Sequence, residues 1–534
     1  MPLDRIAARL RHRIPATAWA AFLSCFLSGY LIHLFAFTNL IPNSDGLSRV
    51  FDPQQMTVSG RWFLHYASAL NGFTQMPALI GFLSMVFLSL AAAAAVLVLG
   101  LHSRTLAALS GVLMAAFPCL GYTFLYMFTA SAYCLAILLA VLSVRLAQKG
   151  GWPRSLAACL LLALSMGIYQ AYAAVAVSLS VLAVLRECLD HRAGWKGTLR
   201  LGLRLMGVLA AGAALYYGLL QLFLSVKGLE LLSYLGMSQA GGGYPVAQLP
   251  RLILSAYKQV LVFFFLPGSS SPFTTLALVL LDLLALALGA LFCFTALTRR
   301  SLWKQPWRPV GGLVMVALLP LAAGFAQIIA PFSDATPIMK YAYVSIYLAV
   351  VLAADLGLSL LPRPRGTAAG SWAVAGCLVC LCLYGANINN LLYTASAQAH
   401  RATLSYATRL ASRIESCPGY THGMPVYLIG SFPTDRVHNS VEGFAQVDHY
   451  SVPLDTVAPL NKHIYYYLRD WLNLPIEEPA EADLMAMAER PEFAAMPRYP
   501  DDGSVQIIDG CLVVKVQEEY TPKSDFEIAY ENRR

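Results

Sequence analysis

The chain has 534 residues, of which 58% are hydrophobic and only 12% are charged. Soluble globular proteins carry about 25% charged residues, so this composition excludes a soluble fold and predicts a polytopic α-helical membrane protein. The net charge of +8 is divided unevenly: residues 1–399 hold 25 Lys+Arg against 9 Asp+Glu, whereas the remainder holds 12 against 20. The basic residues belong to loops that flank the membrane, so nucleic acid is not an expected partner.

Eleven apolar segments are candidates for membrane spans, because a helix needs about 20 such residues to cross a bilayer. The segment after the basic leader is too long for the apolar part of a signal peptide, and we expect it to remain as the first span. The segments predict a transmembrane domain over residues 1–398. They are 16–41, 78–101, 104–121, 124–144, 154–169, 170–187, 203–226, 272–297, 310–331, 340–361 and 370–393.

The basic residues of the loops predict the orientation. If the N-terminus lies in the cytoplasm, 19 of the 25 Lys and Arg residues before residue 400 fall on the cytoplasmic side. The positive-inside rule favours this arrangement. With an odd number of spans the C-terminal region then lies outside the cytoplasm. For a Gram-negative cell this predicts a multi-pass inner-membrane protein with a periplasmic C-terminal domain.

Three predicted external segments are longer than a turn, namely residues 42–77, 227–271 and 332–339. The second contains Gly241-Gly242-Gly243, a flexible run suited to a mobile lid. Its part 252–266 is apolar but too short to cross the bilayer. This part predicts a re-entrant or interfacial helix.

Residues 399–534 have the composition of a small external α/β domain. Helical patterns cover 400–417 and 460–472, and residues 425–430 read as a buried strand. Residues 505–516 alternate in polarity around Asp509-Gly510, which predicts a tight β-hairpin.

The cysteines divide between the spans and this domain. Nine of the eleven lie in or beside spans, where they act as small apolar fillers. Cys417 and Cys511 are the two in the external domain. An even pair in an oxidising compartment favours a disulfide over two free thiols.

The first external loop concentrates ionisable residues at the edge of the membrane. Asp45, Arg49, Asp52 and Arg61 follow the first predicted span, in a half of the chain that has few acids. Ionisable groups at such a place are costly and are usually functional. We interpret this segment as the catalytic loop of a membrane-embedded sugar transferase, with Asp45 and Asp52 as candidate catalytic carboxylates.

The side of the membrane indicates the kind of sugar donor. Nucleotide sugars are absent outside the cytoplasm, so a polyprenyl-phosphate sugar is the available donor. Its phosphate leaves without a general acid, and the enzyme must supply a general base for the acceptor hydroxyl and positive charge near the phosphate. Arg49, Arg61, Lys258 and Lys340 lie at predicted membrane boundaries and are candidates for that charge.

Each candidate also has a structural interpretation. Both aspartates are typical turn residues. Lys258 and Lys340 could each bury the aliphatic part of the side chain in the membrane and place the ammonium group at the interface. Trp62 and His65 are candidates for substrate binding together with Arg61. Alternatively, Arg61 and Trp62 anchor an amphipathic helix that lies on the membrane surface, with His65 on its face.

An external turn between two predicted spans contains Tyr169 and Gln170. This pair either lines a substrate cavity or satisfies backbone groups of the turn. Both interpretations are open on the sequence.

Several short motifs resemble those of the bacterial O-antigen glucosyltransferases of the Gtr type II class, within the GT-C superfamily of glycosyltransferases. The similarity extends over nearly the whole chain in its layout. The motifs are Asn43-Ser44-Asp45-Gly46, Ser59-Gly60-Arg61-Trp62, Gly167-Ile168-Tyr169-Gln170-Ala171, Pro331–Tyr341 and the strand that starts at Pro425.

This resemblance implies a GT-C-like fold that transfers glucose, or a similar hexose, from undecaprenyl phosphate to a surface polysaccharide or lipid-linked glycan such as the O-antigen of lipopolysaccharide. A β-linked donor and an α-linked product would make the reaction inverting, with one base. Asp45 matches the family's acidic pair in the first loop, although this chain has Ser44 beside it. The resemblance also implies that Tyr341 belongs to the substrate-binding region.

Other functions remain open on the sequence. A GT-C enzyme for another sugar or a protein acceptor would have the same layout. A transporter or flippase for lipid-linked glycans would place polar residues near the bilayer midplane and show repeats, whereas here the ionisable residues gather at one face. An inactive scaffold is the third alternative. Superfamily members differ in their use of metal, so a divalent cation, Mg²⁺ or Mn²⁺, is a possible cofactor, although no residue is assigned as its ligand.

Overall fold

The computed structural model describes residues 14–47, 50–190, 194–231, 248–266, 275–329, 336–361, 364–430, 461–518 and 520. The chain forms two compact units. The membrane unit comprises residues 1–39 and 52–390, and the C-terminal unit comprises residues 40–51 and 391–534. The boundary predicted at residue 398 and the boundary found at residue 390 both lie within one continuous helix, Pro364–Glu415.

The described part of the membrane unit is almost wholly helical. Short 3₁₀ turns at Thr57–Ser59, Ala69–Asn71, Gln170–Tyr172, Leu302–Lys304, Pro337–Met339 and Tyr341–Tyr343 interrupt the helices. The helices are α1 Ala16–Thr38, α2 Leu64–Ser68, α3 Pro77–Leu99, α4 Arg104–Ala116, α5 Pro118–Leu125, α6 Met127–Lys149, α7 Trp152–Ile168, α8 Ala173–Leu189, α9 Trp195–Lys227, α10 Leu249–Phe265, α11 Leu276–Arg299, α12 Trp307–Ala323, α13 Phe325–Ile329, α14 Val344–Leu358 and α15 Pro364–Glu415.

Each of the eleven predicted spans coincides with a helix or a pair of helices. Within the described residues, eight helices are long and apolar enough to cross a membrane. The helices α4 and α5 pass this test only together and are bent by 43°, because Pro118 forces an extended conformation on Phe117. The helices α7 and α12 have 17 residues each. The polytopic helical class is confirmed, and the count of eleven stays a prediction.

Small residues allow the first helices to pack closely. The helix α1 lies against α3 and α4. A Cβ atom on Gly111 would lie 2.4 Å from the carbonyl oxygen of Ala21, and one on Gly29 would lie 2.5 Å from the sulfur of Met85. Glycines at such positions let the helix backbones approach, as is common between membrane helices.

The predicted interfacial segment is also helical. The helix α10, Leu249–Phe265, covers all but the last of the apolar residues 252–266. The residues of the proposed lid, 241–243, lie outside the described residues.

The C-terminal unit contains a three-stranded sheet with the order β1-β3-β2, where β1 is Val426–Ile429, β2 is Val505–Ile508 and β3 is Cys511–Lys515. The strands β2 and β3 are antiparallel and β1 is parallel to β3. Asp509 and Gly510 both have positive φ, at 49° and 77°, as a two-residue type I′ turn requires. The predicted hairpin and the strand at residues 425–430 are thereby confirmed.

Helices surround this sheet. They are the end of α15, α16 Asn461–Tyr466 followed by a π-helical turn Tyr467–Trp471, α17 Glu481–Ala488 and α18 Pro491–Ala495. Tyr465 is fully buried, and its hydroxyl donates to the carbonyl of Val426 at 3.1 Å and accepts from the amide of Leu428 at 2.7 Å. Burial raises the pKa of this phenol, so it stays neutral and keeps both bonds. The predicted helices at 400–417 and 460–472 are confirmed.

The predicted disulfide between Cys417 and Cys511 is not formed, and this corrects the sequence interpretation. Both thiols are free. The sulfur of Cys417 contacts the carbonyl of Val505, which pairs with Val514, whereas Cys511 lies three residues away at the turn end of the hairpin. Three residues of strand span about 10 Å, so Cys417 contacts the end of β2 opposite to the turn beside which Cys511 lies.

Candidate functional site

Residues 52–74 form an ordered loop on the membrane unit. The amide of Asp52 donates to the carbonyl of Phe73 at 2.8 Å. Nδ1 of His65 donates to the carbonyl of Pro53 at 2.6 Å, and its ring stacks on Phe73 at 4.9 Å. Asp52 is 9% exposed, and its Oδ1 accepts from the amide of Gln54 at 2.8 Å. Both Asp52 and His65 therefore hold the two ends of the loop together.

Gln54 is a strained residue in this loop that the sequence does not reveal. Its φ is 57°, in the left-handed region that Gly, Asn and Asp usually occupy. Gln54 is 2% exposed, and neither atom of its side-chain amide has a hydrogen-bond partner among the residues that the structure describes. A non-glycine residue in a sparsely populated backbone region costs about 1–3 kcal/mol, and each unsatisfied buried polar group costs about 1–3 kcal/mol.

The next turn of the loop is held by polar side chains from two helical elements. Backbone pairing of Met56 with Arg61 closes the turn. Gln170 donates through Nε2 to the carbonyl of Ser59 at 3.0 Å and to the hydroxyl of Tyr216 at 2.9 Å. That hydroxyl donates in turn to the carbonyl of Gly60 at 3.0 Å. Gln170 therefore contacts the loop that carries Arg61.

Arg61 lies on a cluster of aromatic rings. Its guanidinium carbon is 4.8 Å from the ring centroid of Tyr169, and Nη1 donates to the hydroxyl of Tyr133 at 3.3 Å. The rings of Tyr133 and Tyr169 stack at 4.6 Å, and Tyr172 meets both edge-on. A cation held over an aromatic face keeps its charge and its orientation. We call Arg61 with Tyr133, Tyr169 and Tyr172 the arginine cluster.

Tyr341 extends the arginine cluster towards the start of α14. Its ring meets Tyr172 edge-on at 6.5 Å, and its hydroxyl donates to the carbonyl of Met114 at 2.9 Å. Lys340 precedes it between two 3₁₀ turns and is 4% exposed. The structure thus brings Arg61, Tyr169, Gln170 and Tyr341 into one connected set.

Trp62 lies in a packed environment. It is 4% exposed and its ring stacks on Phe223 of α9 at 5.2 Å. A Cβ atom on Gly167 would lie 2.7 Å from the ring of Trp62, so the glycine makes room for the indole. The structure gives Trp62 a position that fixes the loop against α7 and α9, rather than one on a membrane surface.

Three other candidates are not part of the arginine cluster. Asp45 belongs to the 3₁₀ turn Ser44–Gly46 in the C-terminal unit, and its side chain is exposed. Lys258 is exposed on α10, and no hydrogen bond, ion pair or ring contact within the described residues joins it to the cluster. Arg49 lies outside the described residues.

A family model for the glucosyl transferase GtrII matches residues 34–353, which is more than half of the chain. The chain belongs to the GtrII glucosyl transferase family. Its fold of apolar helices agrees with the membrane-embedded glucosyltransferase that this membership indicates. No curated protein matches the sequence.

The match extends over the whole loop 52–74, the arginine cluster and Tyr341. It ends within α14, so α15 and the sheet of the C-terminal unit lie beyond it. The resemblance inferred from the short motifs is thereby confirmed at the level of the family. The roles of the individual residues in this GtrII protein stay predictions.

The membrane unit of this GtrII protein also contains an apolar cavity of about 850 Å³. The helices α8, α10, α11, α12 and α14 contribute its lining. Asp282 lies in the wall, and its Oδ1 accepts from the hydroxyl of Tyr347 at 2.7 Å. The volume lies at the upper end of the range of about 300–1,000 Å³ for small-molecule sites.

Among the described residues, no group of three or more His, Cys, Asp and Glu side chains is placed to hold a metal ion. The ionisable side chains of the arginine cluster are cationic or phenolic, which suits an anion rather than a cation.

Proposed function

We propose that this GtrII family member transfers glucose, or a similar hexose, from a polyprenyl-phosphate carrier such as undecaprenyl phosphate to a surface polysaccharide. The reaction is proposed to take place on the periplasmic face of the bacterial inner membrane, with the O-antigen of lipopolysaccharide as one such acceptor. The observation that carries the proposal is the family match over residues 34–353, which includes the loop with Arg61.

The arginine cluster supports a phosphate-linked donor. When the sugar–oxygen bond at C1 breaks, the electron pair stays on the phosphate oxygen and the negative charge on the phosphate rises. A guanidinium with several donors in a fixed fork stabilises such an anion. Because Arg61 rests on Tyr169 and Tyr133, it is oriented before the substrate arrives.

Asp45 suits the role of general base. A base must come within hydrogen-bond reach of the acceptor hydroxyl, and the carboxylate of Asp45 is exposed to solvent. Its removal of the hydroxyl proton would let the oxygen attack C1 from the face opposite the phosphate, which gives inversion. Asp52 is largely buried and accepts from a backbone amide, so we assign it to holding the loop.

The apolar cavity supports a lipid carrier. Its lining comes from five helices, and its apolar character suits a stretch of isoprenoid chain.

The proposal is tested by mass spectrometry of the surface glycan from cells with and without the protein. A hexose should be absent without it and should return with the wild-type protein. Asp45→Asn should insert and fold but fail to restore the hexose, whereas Asp501→Asn, at an exposed acid of the C-terminal unit, should restore it. A glycan that keeps its full composition without the protein would contradict the proposal, and a loss of whole glycan chains would instead favour transport.

A further inference from the structure

The first part of the predicted catalytic loop, residues 42–51, belongs to the C-terminal unit. Residues 40–51 and residues 391–534 form one compact body. Leu47 is fully buried in the hydrophobic core of this body, together with Tyr406, Leu410 and Tyr467. A side chain that is buried among residues so distant in sequence fixes the position of its backbone.

Trp471 adds a directional contact to this packing. Its Nε1 donates to the carbonyl of Leu47 at 3.1 Å. The indole ring is itself fixed, because it stacks on Tyr467 at 6.0 Å and meets His400 edge-on at 5.2 Å. The carbonyl of Leu47 is therefore held by a rigid donor.

The side chain of Asn43 closes the turn that precedes Leu47 at the start of that turn. Oδ1 of Asn43 accepts from the amide of Gly46 at 2.6 Å, and Asn43 is 2% exposed. Asp45 lies between these two fixed points, with its own side chain exposed. The backbone beneath the carboxylate is thus set by Asn43 on one side and by Leu47 with Trp471 on the other.

We propose that the C-terminal domain positions Asp45 for catalysis, and that Leu47 and Trp471 are the positioning residues through which it does so. The inference rests on the proposed function, in which Asp45 removes the acceptor proton. It assigns a role to residues 391–534, which lie outside the family match.

The test uses Trp471→Phe, which keeps an aromatic ring and removes the N–H donor. With the purified full-length protein and a polyprenyl-phosphate glucose donor, kcat should fall roughly 10- to 100-fold, the range expected when a catalytic group is misplaced by about 1 Å. The KM for the donor should be unchanged, because the arginine cluster belongs to the membrane unit. Trp195→Phe, at an exposed tryptophan, is the matched control and should keep the wild-type kcat.

A second arm separates positioning from general damage. In an Asp45→Asn background, Trp471→Phe should not lower the residual rate further, because the group on which it acts is already removed. Hydrogen exchange should become faster in a peptide over residues 40–51 of Trp471→Phe and stay unchanged in the strands β1 to β3.

The outcomes distinguish the two proposals. If Asp45→Asn keeps the wild-type rate, the proposed base is wrong. If Asp45→Asn is inactive but Trp471→Phe and Leu47→Ala keep the wild-type kcat and exchange rate, the proposed function stands and the positioning role is refuted. An equal loss of rate by Trp471→Phe in both backgrounds would also refute it.

Discussion

Gln170 and Tyr216 together hold two consecutive carbonyl groups of the loop that carries Arg61. The substitution Gln170→Leu keeps a similar volume and removes the bonds from Nε2 to the carbonyl of Ser59 and to the hydroxyl of Tyr216. Two hydrogen bonds contribute about 0.5–1.5 kcal/mol each, and a buried carbonyl left without a donor costs about 1–3 kcal/mol. We therefore expect a loss of roughly 2–6 kcal/mol of stability.

The activity should fall as well, because the turn that sets the backbone of Arg61 loses its support. Tyr216→Phe removes the bond to the carbonyl of Gly60 and the acceptor of the second bond from Gln170, so we expect a similar cost. Thermal unfolding of the purified protein in lipid nanodiscs measures the stability, and glucosyl transfer measures the function. Tyr217→Phe is the matched control, because Tyr217 is the exposed neighbour on the same helix.

The double variant decides whether the two residues act as one unit. If they do, the cost of Gln170→Leu with Tyr216→Phe should be smaller than the sum of the single costs by at least about 0.5 kcal/mol, the smallest coupling usual for residues in contact. Additive costs, or a single variant as stable and active as Tyr217→Phe, would refute the hydrogen-bonded unit.

Two further predictions follow from the packing. Gly167→Ala places a Cβ atom 2.7 Å from the ring of Trp62, so it should lower stability by about 1–3 kcal/mol and reduce transfer. Gly218→Ala is the control and should do neither, because a Cβ atom there has nothing within 4 Å. Equal effects of the two variants on thermal unfolding and transfer would contradict the packing role of Gly167. Because Cys417 and Cys511 are free, a reducing agent should leave the unfolding temperature unchanged. Both thiols should react with a maleimide in the unfolded, non-reduced protein. If either thiol reacts only after reduction, the two cysteines form the disulfide after all.

The membrane helices and the hairpin could be predicted from the sequence, because local sequence patterns specify them. Apolar length is a property of the segment itself, so each predicted span coincides with a helix. Asp509-Gly510 likewise specifies its own turn, because both residues tolerate positive φ. The prediction of a disulfide was wrong because the bond depends on where the segment with Cys417 contacts the hairpin. No local sequence pattern contains that information.

The site depends on contacts between distant segments, and the sequence reveals only part of it. The motifs with Arg61 and with Tyr169-Gln170 are visible as polar residues at the ends of spans. Tyr133 and Tyr216 are single polar groups within long helices, so their contacts with the loop emerge only from the helix packing. The division of the first loop between two units is equally invisible, because Leu47 reads as an ordinary loop residue.

Backbone strain supports a functional loop over a simple connection between helices. Gln54 and Phe73 have φ of 57° and 60°, and they are two of the five non-glycine residues with positive φ in the described structure. Each costs about 1–3 kcal/mol and persists only where the surroundings enforce it. Here Phe73 is enforced by the amide of Asp52 and by the ring of His65. A simple connection has no need of such strain, so contacts that maintain it in the loop that carries Arg61 favour a segment whose backbone positions its side chains.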